Sequence, residues 1–409
     1  MPSGFHALIG TQFVSGWADN ALLIVAMAHL QAQGHPPWWA PLLKLSFTLA
    51  YVVLAPWVGP WADRVPKARL LWVTNVIKAL GTLTLLWGLN PLVGFAVVGL
   101  GAAWFAPAKY GWVTENVASQ RLVRANAWLE ISLILAILLG VASGGALIAV
   151  AADGSAWAGL ATSLGWPSNS LAGAWLALIL AYGLAAGLSL RVPTGQGRLL
   201  SRVPAMHQAA SAFWRANLRL WRDPLGGLSL AATSLFWAAG ATMQLAVLQW
   251  AQDQLGMALS HAAYLQATVA IGVIVGAAWA AHRVGLRHAV RGLPLGLVLG
   301  VILIMAALGL NDWLSALPVM LLVGALSGYL VVPLNALLQY RGQRLLSAGQ
   351  SIAIQGFNEN ASILMAMAIY ASSLQALPST AWAMSGLGAV LALGTAALWW
   401  RGARAVGGR

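Results

Sequence analysis

Ionisable and amide side chains interrupt several long apolar stretches of the sequence, and a charge in such a setting requires a partner or water. Asp19 lies in the middle of the first stretch, Phe5 to Leu30, and Gln12 and Gly16 share its face at steps of three and four residues, the repeat of one side of an α-helix. Asn75, Lys78 and Thr82 repeat the pattern between 70 and 89, and Gln355, Asn358, Glu359 and Ser362 do so more densely between 350 and 375. Glu130 interrupts a further stretch, 122–150. A carboxylate or an ammonium held this way can bind a polar ligand, exchange a proton or form an internal ion pair. A polar stripe has no use against lipid, so these faces are expected to turn inward.

Catalytic chemistry finds little support. The four lysines never follow glycine, so no phosphate-cradling G-x-x-x-x-G-K-[ST] loop exists. The seven histidines form no H-E-x-x-H pair, and none has an aspartate five positions on, which excludes the His-x-x-x-x-Asp arrangement of common glycerolipid acyltransferases. With no cysteine there is no thiolate catalysis and no Cys-based metal site. No catalytic residue, metal or cofactor is therefore expected.

The elements that must carry these side chains follow from composition. A chain of 409 residues that is 60% apolar and 8% charged cannot cover a water-facing surface, so it must sit in lipid. The net charge of +13 would suggest nucleic acid in a soluble protein, but here the basic residues lie in short loops between apolar segments rather than on one patch. Stretches long enough to span a bilayer run over 5–30, 41–62, 70–89, 91–108, 122–150, 171–190, 225–251, 261–281, 292–310, 314–338, 350–375 and 379–400. The first lacks a basic n-region and carries Asp19, so it reads as a retained helix rather than a cleavable signal. With both termini cytoplasmic, every one of the 22 basic residues except Lys44 and Lys78 falls in an inside loop or terminus or, for Arg124, at the inner end of a span, among them Arg198, Arg202 and Arg409, whereas Asp153, Asp253 and Asp312 fall outside. Lys44, near the outer surface, reads as an anchor.

The longest inside loop separates six spans from six, giving a bundle over 1–190, a basic linker over 191–224 and a second bundle over 225–409. Within the linker, Ser201 to Arg222 sets Phe213, Trp214 and Trp221 among Arg215, Arg219 and Arg222, a composition that suits either a helix lying on an anionic leaflet or a plain basic connector. The halves echo each other: Gln120-Arg121-Leu122 with Ala125 recurs as Gln343-Arg344-Leu345 with Ala348, Pro107 matches Pro333, and Arg64-Val65 matches Arg283-Val284. Parallel repeats of this kind place a ligand site between the halves near the bilayer midplane. Gly140-x-x-x-Gly144-Gly145 and Gly272-x-x-x-Gly276 read as close helix contacts.

After the second span, Gly59-Pro-Trp-Ala-Asp63-Arg64-Val-Pro66-Lys67-Ala-Arg69 resembles the G-x-x-x-D-R-x-G-[RK]-[RK] loop of the major facilitator superfamily, with Pro66 and Ala68 departing from it. The resemblance implies a cytoplasmic gate of Gly59, Asp63, Arg64, Lys67 and Arg69, in which the acid caps a neighbouring helix and pairs with arginine. Gly16-Trp-Ala-Asp19-Asn20-Ala, Phe105-Ala-Pro107-Ala-Lys109-Tyr110-Gly111, Val332-Pro333-Leu-Asn335-Ala-Leu-Leu-Gln339 and Asn358-Glu359-Asn360 together look like the bacterial lysophospholipid transporter family, a branch of that superfamily. This implies an all-α fold of twelve spans in an inner membrane. It also implies inward flipping of lysophosphatidylethanolamine and lysophosphatidylglycerol, linked to a cytoplasmic acyltransferase and acyl-carrier-protein synthetase. The family's polar site would fall on Asp19, Asn20, Lys109 and Glu115. In the seventh span the family carries an arginine where this chain has Met243-Gln244, so Asp19 is left for a substrate ammonium, an ion, Lys78 or Lys109.

The expected binding set is Asp19, Asn20, Gln12, Lys78, Lys109, Glu115, Gln244, Asn358 and Glu359, in a monomer with lateral access from lipid and no nucleic-acid partner. Asp19 and Glu115 could meet an ammonium, and Lys109 a phosphate. Two other readings fit the same residues: a facilitator exporting an amphiphilic drug or metabolite by proton exchange at Asp19 or Glu359, and, more remotely, an intramembrane acyl-transfer enzyme.

Overall fold

The structure is a computed structural model that describes residues 1–35, 39–152, 171–194, 206–257 and 259–407. Asp153, Arg198, Arg202, Arg409 and the start of the 201–222 segment lie outside the described residues.

Along the chain run α1 (Phe5–Ala32), α2 (Trp39–Val53), α3 (Ala55–Arg64), α4 (Lys67–Leu86), α5 (Pro91–Asn116), α6 (Leu122–Ala152) and α7 (Ala172–Ser189). These are followed by α8 (Met206–Arg222), α9 (Pro224–Leu255), α10 (Leu259–Arg283), α11 (Pro294–Gly309), α12 (Trp313–Leu345), α13 (Ala348–Ala376) and α14 (Thr380–Gly407). Ten of these helices are long and apolar enough to cross a bilayer, and α2 with α3, bent by 65°, makes a broken eleventh. The break falls at Leu54 because Pro56 lacks the N–H that would continue the ladder. The twelfth is α13: its 29 residues reach about 44 Å, ample for a bilayer. It is less apolar because Gln350, Gln355, Asn358, Glu359 and Asn360 lie along it. The result is the all-helical architecture of twelve spans.

Several helices outrun the boundaries expected from hydropathy. The stretch expected to end at 108 continues through Pro107 to Asn116, and that expected to end at 338 continues to Leu345. These extensions carry charged and amide side chains beyond the apolar window as ordered helix, which decides where Lys109, Glu115 and Arg341 point.

Packing divides the chain into two compact units. One comprises Met1–Asn116, Ser132–Phe213 and Ser347–Gly356; the other comprises Val117–Ile131, Trp214–Leu346 and Phe357–Arg409. The first turns of α6 therefore pack with the second unit and the first turns of α13 with the first, so the packing units differ from a cut at the linker.

In the first unit, Leu22, Val25, Leu43, Leu85, Phe95, Trp175 and Leu178 form a buried cluster. Small residues bring the backbones together, as helix association in lipid requires. A Cβ on Gly140 would lie 2.6 Å from the Trp17 carbonyl oxygen, and one on Gly144 would lie 2.8 Å from Ile24 Cβ, so α6 rides directly on α1. The second unit is built around Phe236, Trp250, Leu265, Leu299, Met320 and Met384. There Gly272 and Gly276 of α10 face the carbonyls of Leu321 and Ala325, while Gly324 and Gly328 of α12 face those of Val269 and Val273. The two helices interlock through four glycines.

Candidate functional site

Two polar centres lie in the first unit. The inner one is built on α1, α4 and α7. Lys78 Nζ donates to Asp19 Oδ2 at 2.6 Å and to Ser15 Oγ at 3.0 Å, and the Tyr182 hydroxyl donates to Asp19 Oδ1 at 2.7 Å. Asp19 and Ser15 share a face of α1 at one-turn spacing, and α5 is drawn close enough that a Cβ on Gly101 would lie 2.7 Å from Lys78 Cγ. The Lys78 side chain is 1% exposed and that of Asp19 is 17% exposed. The ammonium is therefore sealed while the carboxylate keeps an open edge, with lone pairs beyond the two already engaged. The Phe105 ring lies 4.9 Å from the Lys78 ammonium and 5.9 Å from that of Lys109, so the two lysines share one aromatic neighbour. Lys109 is buried and also lies 4.2 Å from the Tyr110 ring centroid. Gln12 is buried one turn before Ser15, and Asn20 returns its amide to the Gly16 carbonyl at 2.8 Å.

The expected candidates for Asp19's partner thus resolve to Lys78, a residue of the same unit. Tyr182 and Phe105 were missed by sequence reasoning. Tyr182 was legible in principle, being the lone phenol in the otherwise apolar α7.

The second centre lies where α3, α4 and α5 meet the start of α13. Asp63, 3% exposed, accepts from the Gly349 and Gln350 backbone N–H groups at 2.7 and 3.2 Å and from the Ser347 hydroxyl. It thereby satisfies first-turn donors of α13 and sits at the positive end of the helix dipole. Lys67 Nζ bridges Asp63 at 3.4 Å and Glu115 at 3.3 Å and donates to the Ala62 carbonyl at 2.6 Å. Backbone contact is close: a Cβ on Gly59 would lie 2.8 Å from Gln350 Cα, and one on Gly349 would lie 2.7 Å from the Gly59 carbonyl oxygen. The expected cap on a neighbouring helix is present. Among the described residues the basic partner of Asp63 is Lys67 rather than the expected arginine, and Arg64 and Arg69 are exposed.

Glu115 belongs to this centre rather than to Asp19's. On a continuous α5, six residues carry Glu115 about 240° around the helix from Lys109, so the two side chains diverge. Asn358 makes side-chain contacts with the linker helix. In the second unit its Nδ2 donates to Asn217 Oδ1 at 2.9 Å and its Oδ1 accepts from Trp221 Nε1 at 3.1 Å, so its amide holds the linker helix α8. Glu359 is half-buried on α13. Gln244 is exposed on α9, where its carbonyl accepts from Gln266 Nε2.

Two second-unit contacts were not anticipated. Asn126 and Gln339 exchange reciprocal amide hydrogen bonds at 2.9 Å each, tying the start of α6 to α12 while both are buried. Arg341 Nε donates to Asp223 Oδ1 at 3.0 Å, and the same carboxylate caps α9 through Gly226 N–H at 2.6 Å. Burial pushes the Asp223 carboxyl up, but the Arg341 and Gly226 hydrogen bonds outweigh it and hold the group below the usual carboxylate range.

The sequence profile described as Major Facilitator Superfamily matches residues 8–358. The lysophospholipid transporter LplT of Citrobacter koseri is 38% identical over 97% of this chain and 95% of its own length, and that of Escherichia coli SMS-3-5 is 37% identical with the same coverage. Solved structures share the fold at low identity. The human organic anion transporter MFSD10 has a TM-score of 0.75 at 13% identity, covering 97% of this chain and 100% of that one. A bacterial homologue of ferroportin in its outward-facing state has a TM-score of 0.70 at 15% identity, covering 98% and 99%. Profile, full-length relatives and fold agree: this multi-pass membrane protein belongs to the Major Facilitator Superfamily, in the branch of the LplT transporters.

Proposed function

We propose that the protein moves lysophospholipids, lysophosphatidylethanolamine and lysophosphatidylglycerol, from the outer to the inner leaflet of a bacterial inner membrane. The observation that carries the reading is a charged centre, Asp19–Lys78–Tyr182, set in apolar helices of a chain alike over its whole length to transporters of that name. A lysophospholipid needs little polar surface: one carboxylate edge for an ammonium, a cation for a phosphate, and apolar walls for a single acyl chain. Asp19 offers the first. Lys109, beside the same Phe105 ring, is the candidate for the second.

Transport proceeds by alternating access. The Asp63 cap and the Lys67 bridge to Glu115 act as a cytoplasmic gate: opening on that side releases Ser347, Gly349 and Gln350 from the Asp63 carboxylate. Both termini lie in the cytoplasm, the chain acts as a monomer, and the delivered lysolipid is reacylated by a cytoplasmic-side acyltransferase and acyl-carrier-protein synthetase. Proteoliposomes with labelled lysophosphatidylethanolamine in the outer leaflet test this directly. Protein-dependent, chemically unchanged transfer to the inner leaflet is expected. Acylation or hydrolysis of the lipid by the protein alone, or transfer no faster than in empty vesicles, overturns it.

A further inference from the structure

The second unit carries a basic cleft that the transport reading does not use. It lies among the end of α10, the 3-10 turn Leu286–Gly292, the start of α11 and the middle of α12, and has a volume of 240 Å³. Arg283, His288 and Arg291 line it together with Tyr329, over apolar side chains including Leu295 and Leu330. Basic residues in such loops are ordinary in membrane proteins, so their presence alone means little. Their lack of compensation is the unusual part. From Asp253 to Asp312, and again from Asp312 to Glu359, the sequence holds no intervening acidic residue. None of the salt bridges among the described residues involves Arg283, Arg287 or Arg291. The matching loop of the first half, which shares the Arg-Val pair, is instead neutralised by Asp63 and Glu115 around Lys67. Concave, cationic and unpaired, the second-half cleft suits an anion.

Its surroundings specify the kind of anion. One face of α10 presents Ile271, Val275 and Trp279 at one-turn intervals, all at least 50% exposed, and the next residue in that row is Arg283. The Trp279 ring packs edge-on against Tyr329 at 5.6 Å, which joins the apolar row to the cleft wall. The volume is below the roughly 300–1,000 Å³ that encloses a drug-sized ligand, so the cleft fits a headgroup whose remainder lies outside. A free anion would have no use for the apolar row; an acyl chain would. We propose that this cleft binds the phosphate of an anionic membrane phospholipid, with Arg283 and Arg291 as donors and an acyl chain lying along Ile271, Val275 and Trp279. The site rests on a cytoplasmic placement of the basic loops but not on the transported substrate.

The test is native mass spectrometry of the full-length protein, titrated with palmitoyl-oleoyl phosphatidylglycerol or phosphatidylcholine. Wild type should bind the anionic lipid at least several-fold more tightly. Arg283→Gln with Arg291→Gln should weaken that binding by about tenfold per arginine, the loss expected for a charge-assisted hydrogen bond. Arg287→Gln with Arg401→Gln removes the same charge from exposed residues that do not line the cleft, and should leave binding unchanged. If the double variant fails to fold by thermal melting, each single variant reads the same effect. Equal loss in the control pair, or equal binding of the two lipids, overturns the site. Inorganic phosphate displacing the phosphatidylglycerol at comparable concentration would assign the cleft to a free anion and overturn the lipid.

Discussion

Neutralising Asp19 removes the only carboxylate within ion-pair distance of Lys78 among the described residues, and leaves an ammonium that is 1% exposed. Breaking a buried ion pair from one side costs about 3–5 kcal/mol, because the remaining charge stays desolvated, whereas removing both charges together is often close to neutral. Asp19→Asn and Lys78→Met should therefore each lower stability by about that much. The double variant should recover most of the loss, helped by the apolar Phe105 ring already beside the Lys78 position. Transport should follow a different rule. If the open edge of Asp19 receives the substrate, the double variant regains stability but not flipping, and lysolipid transfer stays near the level of empty vesicles. Thermal unfolding in detergent reads the first quantity, and proteoliposome transfer of labelled lysophosphatidylethanolamine reads the second. A double variant that is stable and transports at the wild-type rate would sink the argument, reducing the pair to a helix clamp.

Asp63→Asn keeps an acceptor for α13 but weakens the charge-assisted bonds, worth about 1.5–3 kcal/mol each, so transport should slow about tenfold while lysolipid affinity holds; affinity falling in step with rate counts against a gate. Gly59→Val should be more severe, because a side chain there meets the Gln350 backbone rather than a movable side chain, and a normally folding, normally transporting variant would refute the close contact. Asp223, held below its ordinary value, contributes stability that is fully present above the unfolded carboxylate range and lost as pH falls through the lower folded value. The stability gap between wild type and Asp223→Asn should then be constant near neutrality and close below about pH 4; a gap that persists in acid would contradict the assignment. A peptide of residues 201–222 should bind anionic vesicles over neutral ones through Arg215, Arg219 and Arg222, which are exposed beside Trp214 and Trp221; equal binding removes the electrostatic part.

Much of the architecture was legible because bilayer thickness and charge placement act on single residues and short windows. Apolar runs gave the spans and the family motifs gave the Asp63 cap, since the donors of a helix start attract a carboxylate wherever the chain delivers one. Polar residues at helical spacing marked the faces that carry Asp19 and Lys78. Which of them would touch was not legible. Asp19 meets a lysine 59 positions away and a tyrosine 163 positions away, and no local pattern distinguishes Lys78 from Lys109 as the partner. Glu115 was misplaced for a related reason. Ending the span at 108 left its direction undefined, while the helix's continuation to Asn116 turns it toward Lys67. Asn358 lies on the polar stripe that periodicity picked out, yet its amide is taken up by Asn217 and Trp221 of the linker helix. Periodicity fixes which side of a helix a residue occupies; only packing of several helices decides what stands opposite, because that depends on the rotation and depth of each against its neighbours.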